Sequence, residues 1–355
     1  MHRAGVWMLN SGIQEHSGGI ARYYRSDLAR NNPISTEITG YGVSGLCYLH
    51  QLTGEEKYLE AARKAGYFLT RQAWNADLRI FPFEWFEDAA KTAVTPAYFF
   101  DCGIIVRGLL KLWQATGERE FRDVAAACGE SMARRFPHQG NLAPILHLPG
   151  LEPFEYGGSW SNNPGCYQLK SALAWLELHE ETGDSGFRAN YESALELARA
   201  DAPTFLPGTH DRLRVMDRLH AFSYFLEALI PVASVPRCGA ALKEGIARLS
   251  EYLRSIRGEF ARSDVHAQLL RVRLYAARAG VVRLNENEAA EEAAAIASFQ
   301  YESGDPKMDG GFSFGRRNGA DLPYANPVST VFCLQAAAMW EARGGPVAES
   351  WRTLI

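Results

Sequence analysis

The stretch Tyr48-Leu-His-Gln-Leu-Thr-Gly54-Glu-Glu-Lys-Tyr58 decides the fold of this chain, because it returns twice. It reappears as Leu112-Trp-Gln-Ala-Thr-Gly117-Glu-Arg-Glu-Phe121 and as Leu178-His-Glu-Glu-Thr-Gly183-Asp-Ser-Gly-Phe187. With glycines at 54, 117 and 183, the copies stand 63 and then 66 residues apart. One supersecondary unit recurring at that period marks a repeat architecture. The glycine suits the left-handed position that closes a helix. The acid after it (Glu55, Glu118, Asp184) suits the positive start of the next helix. Each copy therefore reads as helix, tight turn, helix.

The two helices of a unit differ in polarity. Residues 38–49 carry no formal charge, 102–110 carry only Arg107, and 165–176 carry only Lys170. A helix without a polar face is buried all round. The second helix is amphipathic, with Tyr58, Ala62, Ala65 and Leu69 as its stripe. Phe121, Ala125, Cys128 and Met132, then Phe187, Tyr191, Ala194 and Ala198, recur at the same offsets. Each unit thus supplies one inner and one outer helix.

The second half continues the alternation less regularly. Inner helices are expected near 217–231, 264–278 and 327–341, and outer ones near 238–256 and 286–300. The segment around 3–14 would be the sixth outer helix. Its continuation Gln14-Glu-His-Ser-Gly-Gly-Ile20 echoes Gln300 and Asp309-Gly-Gly-Phe312, as closure of a ring predicts. The expectation is an all-α (α/α)6 barrel of six inner and six outer helices, a single domain over 1–355. Links from outer to inner helices are long, roughly 15–35, 73–98, 136–163, 202–215 and 302–325, and long loops in a compact domain are usually functional. They place the expected pocket at the inner-helix N-terminal end.

Bulk properties narrow the function classes. The net charge of −4, from 41 acidic and 37 basic residues, offers no footprint for nucleic acid or an anionic membrane. No run approaches a membrane span, and the first ten residues lack the pattern of a signal peptide. Six scattered cysteines without a CxxC pair read as buried, reduced residues, and a cytoplasmic location is expected.

The segment Glu37-Ile-Thr-Gly-Tyr-Gly-Val, with Leu52-Thr-Gly-Glu-Glu-Lys-Tyr58-Leu-Glu-Ala-Ala-Arg after it, resembles the six-hairpin glycosidase-like superfamily of (α/α)6 barrels. That superfamily includes glycosidases, unsaturated-uronyl hydrolases, some polysaccharide lyases and N-acylglucosamine 2-epimerases. A weaker similarity is to terpenoid cyclase and prenyltransferase toroids, through Ala295-Ile-Ala-Ser-Phe-Gln300 and Asp309-Gly-Gly-Phe-Ser-Phe. The cyclase Asp-x-Asp-Asp motif and the prenyltransferase metal ligands are missing, since Leu322-Pro-Tyr-Ala-Asn326 occupies the latter stretch. The first resemblance implies a carbohydrate-active enzyme that cleaves an oligosaccharide by hydrolysis or elimination, an acidic sugar among its candidate substrates. It needs no cofactor, and no zinc-ligand spacing is present.

Glycosidic cleavage requires an acid and a base or nucleophile. Glu37 and Asp101, at equivalent ends of the first two inner helices, are the preferred pair. Asp217 and Asp264 follow in later inner helices, and Glu84, Glu87, Asp88, Glu155 and Asp309 lie in loops. Arg107 and Arg316 are candidates for substrate charge. The bland alternative for Arg107 is a structural pair with Asp101 or Glu37. Trp85, Tyr156 and Trp160 are candidate sugar platforms, with Tyr41 beside Glu37. His220 and His266 carry the competing reading, a 2-epimerase-type isomerase, since a near-neutral imidazole suits proton abstraction and return. A third reading is a non-catalytic carbohydrate-binding toroid.

Overall fold

The computed structural model describes residues 2–87, 94–343 and 350–355. Asp88 lies outside the described residues. Among them are twelve α-helices, and they fall into two compact units of three hairpins each.

One unit comprises 12–22 and 31–201. It holds α2 (Thr36–Thr53) with α3 (Glu56–Phe68), α4 (Phe99–Thr116) with α5 (Arg119–Arg135), and α6 (Leu169–Thr182) with α7 (Ser185–Phe205). The largely apolar inner helices α2, α4 and α6 pack in sequence on one another. Their closeness depends on missing side chains: a Cβ on Gly40 of α2 would lie 2.9 Å from the Ile105 Cα of α4, and one on Gly108 would lie 2.6 Å from the Gly40 carbonyl oxygen.

The repeated Thr-Gly step has one physical explanation in all three copies. Gly54, Gly117 and Gly183 have φ of +72°, +74° and +75°, and their N–H groups return to the carbonyls of His50, Trp113 and His179. The preceding threonine works in both directions. Thr53 Oγ1 donates to the Leu49 carbonyl at 2.8 Å and accepts from the Glu55 N–H at 3.2 Å. Thr116 and Thr182 repeat both bonds. The acids after glycine stand at the starts of the outer helices, as expected, but not all of them cap through the side chain. Glu55 and Glu118 occupy the N-cap position without capping through their side chains, and only Asp184 does so, to the Gly186 N–H at 2.7 Å. Glu118 instead receives Arg63 at 2.8 Å and the Tyr67 hydroxyl. The expected outer stripes are buried in every copy.

The other unit comprises 1–11, 23–30 and 202–355. It holds α8 (Arg212–Leu229) with α9 (Pro236–Ile256), α10 (Ser263–Arg278) with α11 (Glu286–Ala297), and α12 (Pro327–Glu341) against α1 (His2–Asn10). Inner helix α10 packs on both α8 and α12. Its core is less apolar. Arg271 and Glu227 are fully buried as an ion pair, and Arg271 also donates to Gln335 Oε1 at 2.9 Å and stacks 4.0 Å from the Phe332 ring.

The echo between residues 14–20 and 300–312 is a shared hydrogen-bond pattern. Gln14 and Gln300 each pair across a β-bridge, with Ile20 and Phe312. The Ile20 N–H donates to Thr39 Oγ1 at 2.9 Å, and the Phe312 N–H to Thr330 Oγ1 at 3.0 Å. Short antiparallel ladders join several of the loops to one another: 34–35 with 84–85, 95–98 with 145–148, 260–262 with 315–317, and 324–325 with 24–25. No helix of the described residues is long and apolar enough to cross a membrane.

Candidate functional site

In the unit of α2–α7, Ser35 ends a short strand and caps α2 through the Ile38 N–H. Thr36 anchors the helix start by donating its hydroxyl to the Pro82 carbonyl at 2.6 Å. Glu37 follows, half-buried, and Asp101 occupies the third position of the neighbouring α4 at 4 % exposure. Among the described residues no hydrogen-bond donor meets Asp101 Oδ2. Burial pushes the Glu37 carboxyl up to about 7, against the pull of the Arg22 charge. Asp101 is held well above the carboxylate range, by burial first and then by the negative charge of Glu37. Two carboxyl groups that oppose each other in a dry setting keep a proton between them.

Around this pair stand Arg22, Phe83, Tyr98 and Tyr167, which periodicity did not select, together with the expected Glu84, Tyr41 and Trp160. Arg22 contacts Glu84 Oε1 at 3.3 Å and lies 4.9 Å from the Phe83 ring. Phe83 packs 5.1 Å from Tyr98, whose half-buried hydroxyl has a raised pKa from burial and from the charge of Asp101. Tyr41, one turn beyond Glu37, is 1 % exposed. Trp160 packs edge-on at 4.9 Å against Tyr167, whose pKa is raised chiefly by burial, with Asp101 among its charged neighbours. Other candidates lie elsewhere. Trp85 packs edge-on against Phe68 of α3 at 5.2 Å. Glu155 and Tyr156 are exposed on their loop. Arg107 donates Nε to Glu177 Oε1 of α6 at 2.7 Å with both side chains almost fully buried, which accounts for a charge inside an apolar helix.

In the unit of α8–α12 a second polar centre forms at the start of α10. Arg262 holds Asp264 through two bonds, of 3.0 and 2.6 Å, and reaches the half-exposed Asp217 at 2.8 Å. Its guanidinium lies 4.4 Å from the Phe314 ring. Burial alone would raise the Asp264 pKa, yet the charges of Arg262 and His220 outweigh it and the net shift is downward. His220 of α8 makes a 2.8 Å Nδ1 contact with Gln268 Oε1 and packs against Tyr224. Burial first, and then Arg262, lower its pKa to about 4. His266 has different surroundings. Its ring lies 6.1 Å from Phe299, and it opens on a cavity lined by α9, α10 and α11, which His220 does not line.

The remaining loop candidates are engaged in structural pairs. Asp309 accepts from Arg3 of α1 at 2.7 Å and from the Ser303 N–H at 3.1 Å. Arg316 donates to Asp321 at 2.7 Å and to Ser298 Oγ at 3.0 Å. Among the described residues no group of three or more His, Cys, Asp or Glu side chains is arranged to hold a metal ion.

This alternation of buried and amphipathic helices is the all-α (α/α)6 barrel, six inner and six outer helices, and comparison with solved structures shows it directly. A sugar epimerase from a ruminal bacterium superposes with a TM-score of 0.71 at 11% identity, over 98% of this chain and 100% of that one. Cellobiose 2-epimerase from Spirochaeta thermophila DSM 6192 gives a TM-score of 0.72 at 14% identity, covering 94% of this chain and 92% of the other. Unsaturated glucuronyl hydrolase from Bacillus sp. GL1 gives 0.66 at 13% identity, covering 94% of each. No family model matches the sequence, and no curated protein matches it by sequence.

Proposed function

We propose that the chain is a carbohydrate-active enzyme that hydrolyses a glycosidic bond, with Glu37 and Asp101 as its acid–base pair. The observation that carries this reading is the pair itself: two carboxyl groups at the starts of adjacent inner helices, both raised by burial, with the charge of Glu37 raising Asp101 further. Asp101, buried and held protonated, serves as the general acid. Glu37 is half-buried and raised only to about 7, so it is the member favoured as base or nucleophile. Such a separation of roles by environment is what glycoside hydrolysis requires. The carbohydrate substrate is supported by the fold shared with enzymes described as sugar epimerases and a glucuronyl hydrolase. Tyr98 and Trp160, both partly exposed, supply aromatic surface, and no cofactor enters the proposal.

A second reading, isomerisation, rests on His220. Its imidazole is neutral near pH 7 with Nδ1 engaged by Gln268, as a proton-abstracting base needs to be. A panel of uronate-containing and neutral oligosaccharides separates the two. New reducing ends, lost in E37Q and D101N, are expected for hydrolysis. An unsaturated product would redirect the proposal to elimination. Deuterium wash-in at a sugar C–H without cleavage, lost in H220N, would replace it with isomerisation.

A further inference from the structure

Beside the carboxyl pair of the α2–α7 unit stand two charged side chains to which the proposed chemistry gives no role. Arg22 is fixed through its backbone, by the bridge of Ala21 to Ile34 and by its own N–H bond to the Pro33 carbonyl at 3.1 Å. Glu84 is fixed by the ladder that sets it opposite Ser35, two residues before Glu37. The two meet at 3.3 Å, Arg22 Nη1 donating to Glu84 Oε1, with 42% and 23% of their side chains exposed. Among the described residues this is the one side-chain hydrogen bond that either makes. The remaining guanidinium N–H groups and Glu84 Oε2 are open to solvent or to a ligand.

Both residues belong to the surroundings of the acid pair. The Arg22 guanidinium lies 4.9 Å from the Phe83 ring, and that ring lies 5.1 Å from Tyr98, the N-cap residue of α4 three positions before Asp101. The charges of Asp101, Arg22, Glu37 and Glu84 all act on the Tyr98 hydroxyl. Asp101 Oδ2, buried and without a donor among the described residues, is a further open acceptor there.

The charge balance decides what such a place recognises. Arg22 is already matched by Glu84, and Arg107 of α4 is committed to Glu177. A sugar carboxylate brought to Arg22 would meet the carboxyl groups of Glu84, Glu37 and Asp101 as well, and like charges brought together are strongly disfavoured. A sugar hydroxyl meets no such opposition. It accepts from an open guanidinium N–H and donates to Glu84 Oε2, since a hydroxyl can do both. An arginine without its glutamate would behave in the opposite way, because a free guanidinium grips a carboxylate through two parallel hydrogen bonds.

We infer that Arg22 and Glu84 form a hydroxyl clamp that selects a neutral sugar for the Glu37–Asp101 pair, and that Glu84 is the residue that turns a uronate away. The clamp rests on the hydrolytic site proposed above and names its substrate class. Of the candidate substrates that the family resemblance implies, the acidic sugar is the one it rejects. Rejection by a built-in repulsive element is a general route to specificity.

The test uses matched ligands: neutral gluco-, manno- and galacto-oligosaccharides, each beside the same oligosaccharide with its terminal C6 hydroxymethyl oxidised to a carboxylate. Calorimetric titration of D101N at pH 7 gives the two affinities without turnover, and kcat/KM of the wild-type enzyme gives the same ratio without any variant. The neutral member should be favoured by about tenfold or more. E84Q should shrink that ratio by about tenfold, and R22Q should enlarge it. Each ratio compares two ligands on one protein, so a merely structural loss cancels from it. A uronate bound or turned over as well as its neutral partner by wild type would overturn the inference, as would a ratio unmoved in E84Q. Binding of no member of the panel would overturn it together with the carbohydrate reading. Neutral preference in binding without cleavage by wild type would uphold the clamp and remove hydrolysis. Preferential cleavage of the uronate members would uphold hydrolysis and remove the clamp.

Discussion

The start of α2 and the start of α10 are built on the same plan and end with opposite electrostatics. Thr36 donates its hydroxyl to the Pro82 and Phe83 carbonyls at 2.6 and 3.3 Å, and Ser263 donates to those of Ser313 and Phe314 at the same distances. The next residue is an acid in each, Glu37 or Asp264. The residue before the anchor differs. It is Ser35 in α2, spent on capping the helix, and Arg262 in α10, spent on Asp264. With the arginine in place a buried carboxylate stays ionised; with serine there, burial raises the carboxyl to about 7 against the more distant charge of Arg22. One preceding side chain separates an acid held as a carboxylate from one held close to neutrality.

The comparison breaks most visibly at the carboxylate pair. E37Q and D101N should each lower hydrolytic turnover by about 10²–10⁴-fold, the usual contribution of a general acid or base, in a reducing-sugar assay. Both folded-state pKa values are raised, so wild type pays increasingly for this pair as pH rises from about 4.5 to 7. Each variant should then gain thermal stability relative to wild type over that window. Turnover in the wild-type enzyme should rise through about pH 7, as Glu37 ionises, and fall only at higher pH, where Asp101 gives up its proton. Activity retained by either variant, or a rate that falls as pH rises through 7, would remove the pair from the mechanism.

At α10 the expected effect is structural. R262A strands Asp264 without its partner, and breaking a buried pair costs about 3–5 kcal/mol. Denaturant titration should show that loss at pH 7 and a smaller one at pH 4, where Asp264 takes up a proton and comes to resemble Glu37. An equal loss at both pH values would mean that packing against Phe314, rather than charge, is what Arg262 provides. The smallest effect belongs to the hinges. Alanine at Gly54, Gly117 or Gly183 forces a left-handed backbone on a residue with a Cβ, and each should cost about 1–2 kcal/mol in the same titration. A markedly unequal cost among the three would show that the hairpins are not energetically equivalent.

The amino-acid sequence by itself determined the helical plan. Thr-Gly steps, uncharged inner runs and amphipathic outer stripes are local signals, and helix periodicity reads them directly. The expected α12 at 327–341 matches in full, and α10 extends the expected 264–278 by one residue, because capping residues and breakers sit next to the helices they bound. Glu37 and Asp101 were legible as candidates for the same reason, being acids at the ends of apolar helices. Tertiary structure alone decided what surrounds them. The loop ladders pair strands about 50 residues apart, and no periodicity announces them. Arg22 reaches the pair from one such loop, Arg107 finds Glu177 on another helix, and His266 turns to the outer wall. Whether a buried acid is neutral or charged depends on which cation the fold brings within a few ångströms, because Coulomb energy in a dry interior is set by distance in space and not along the chain.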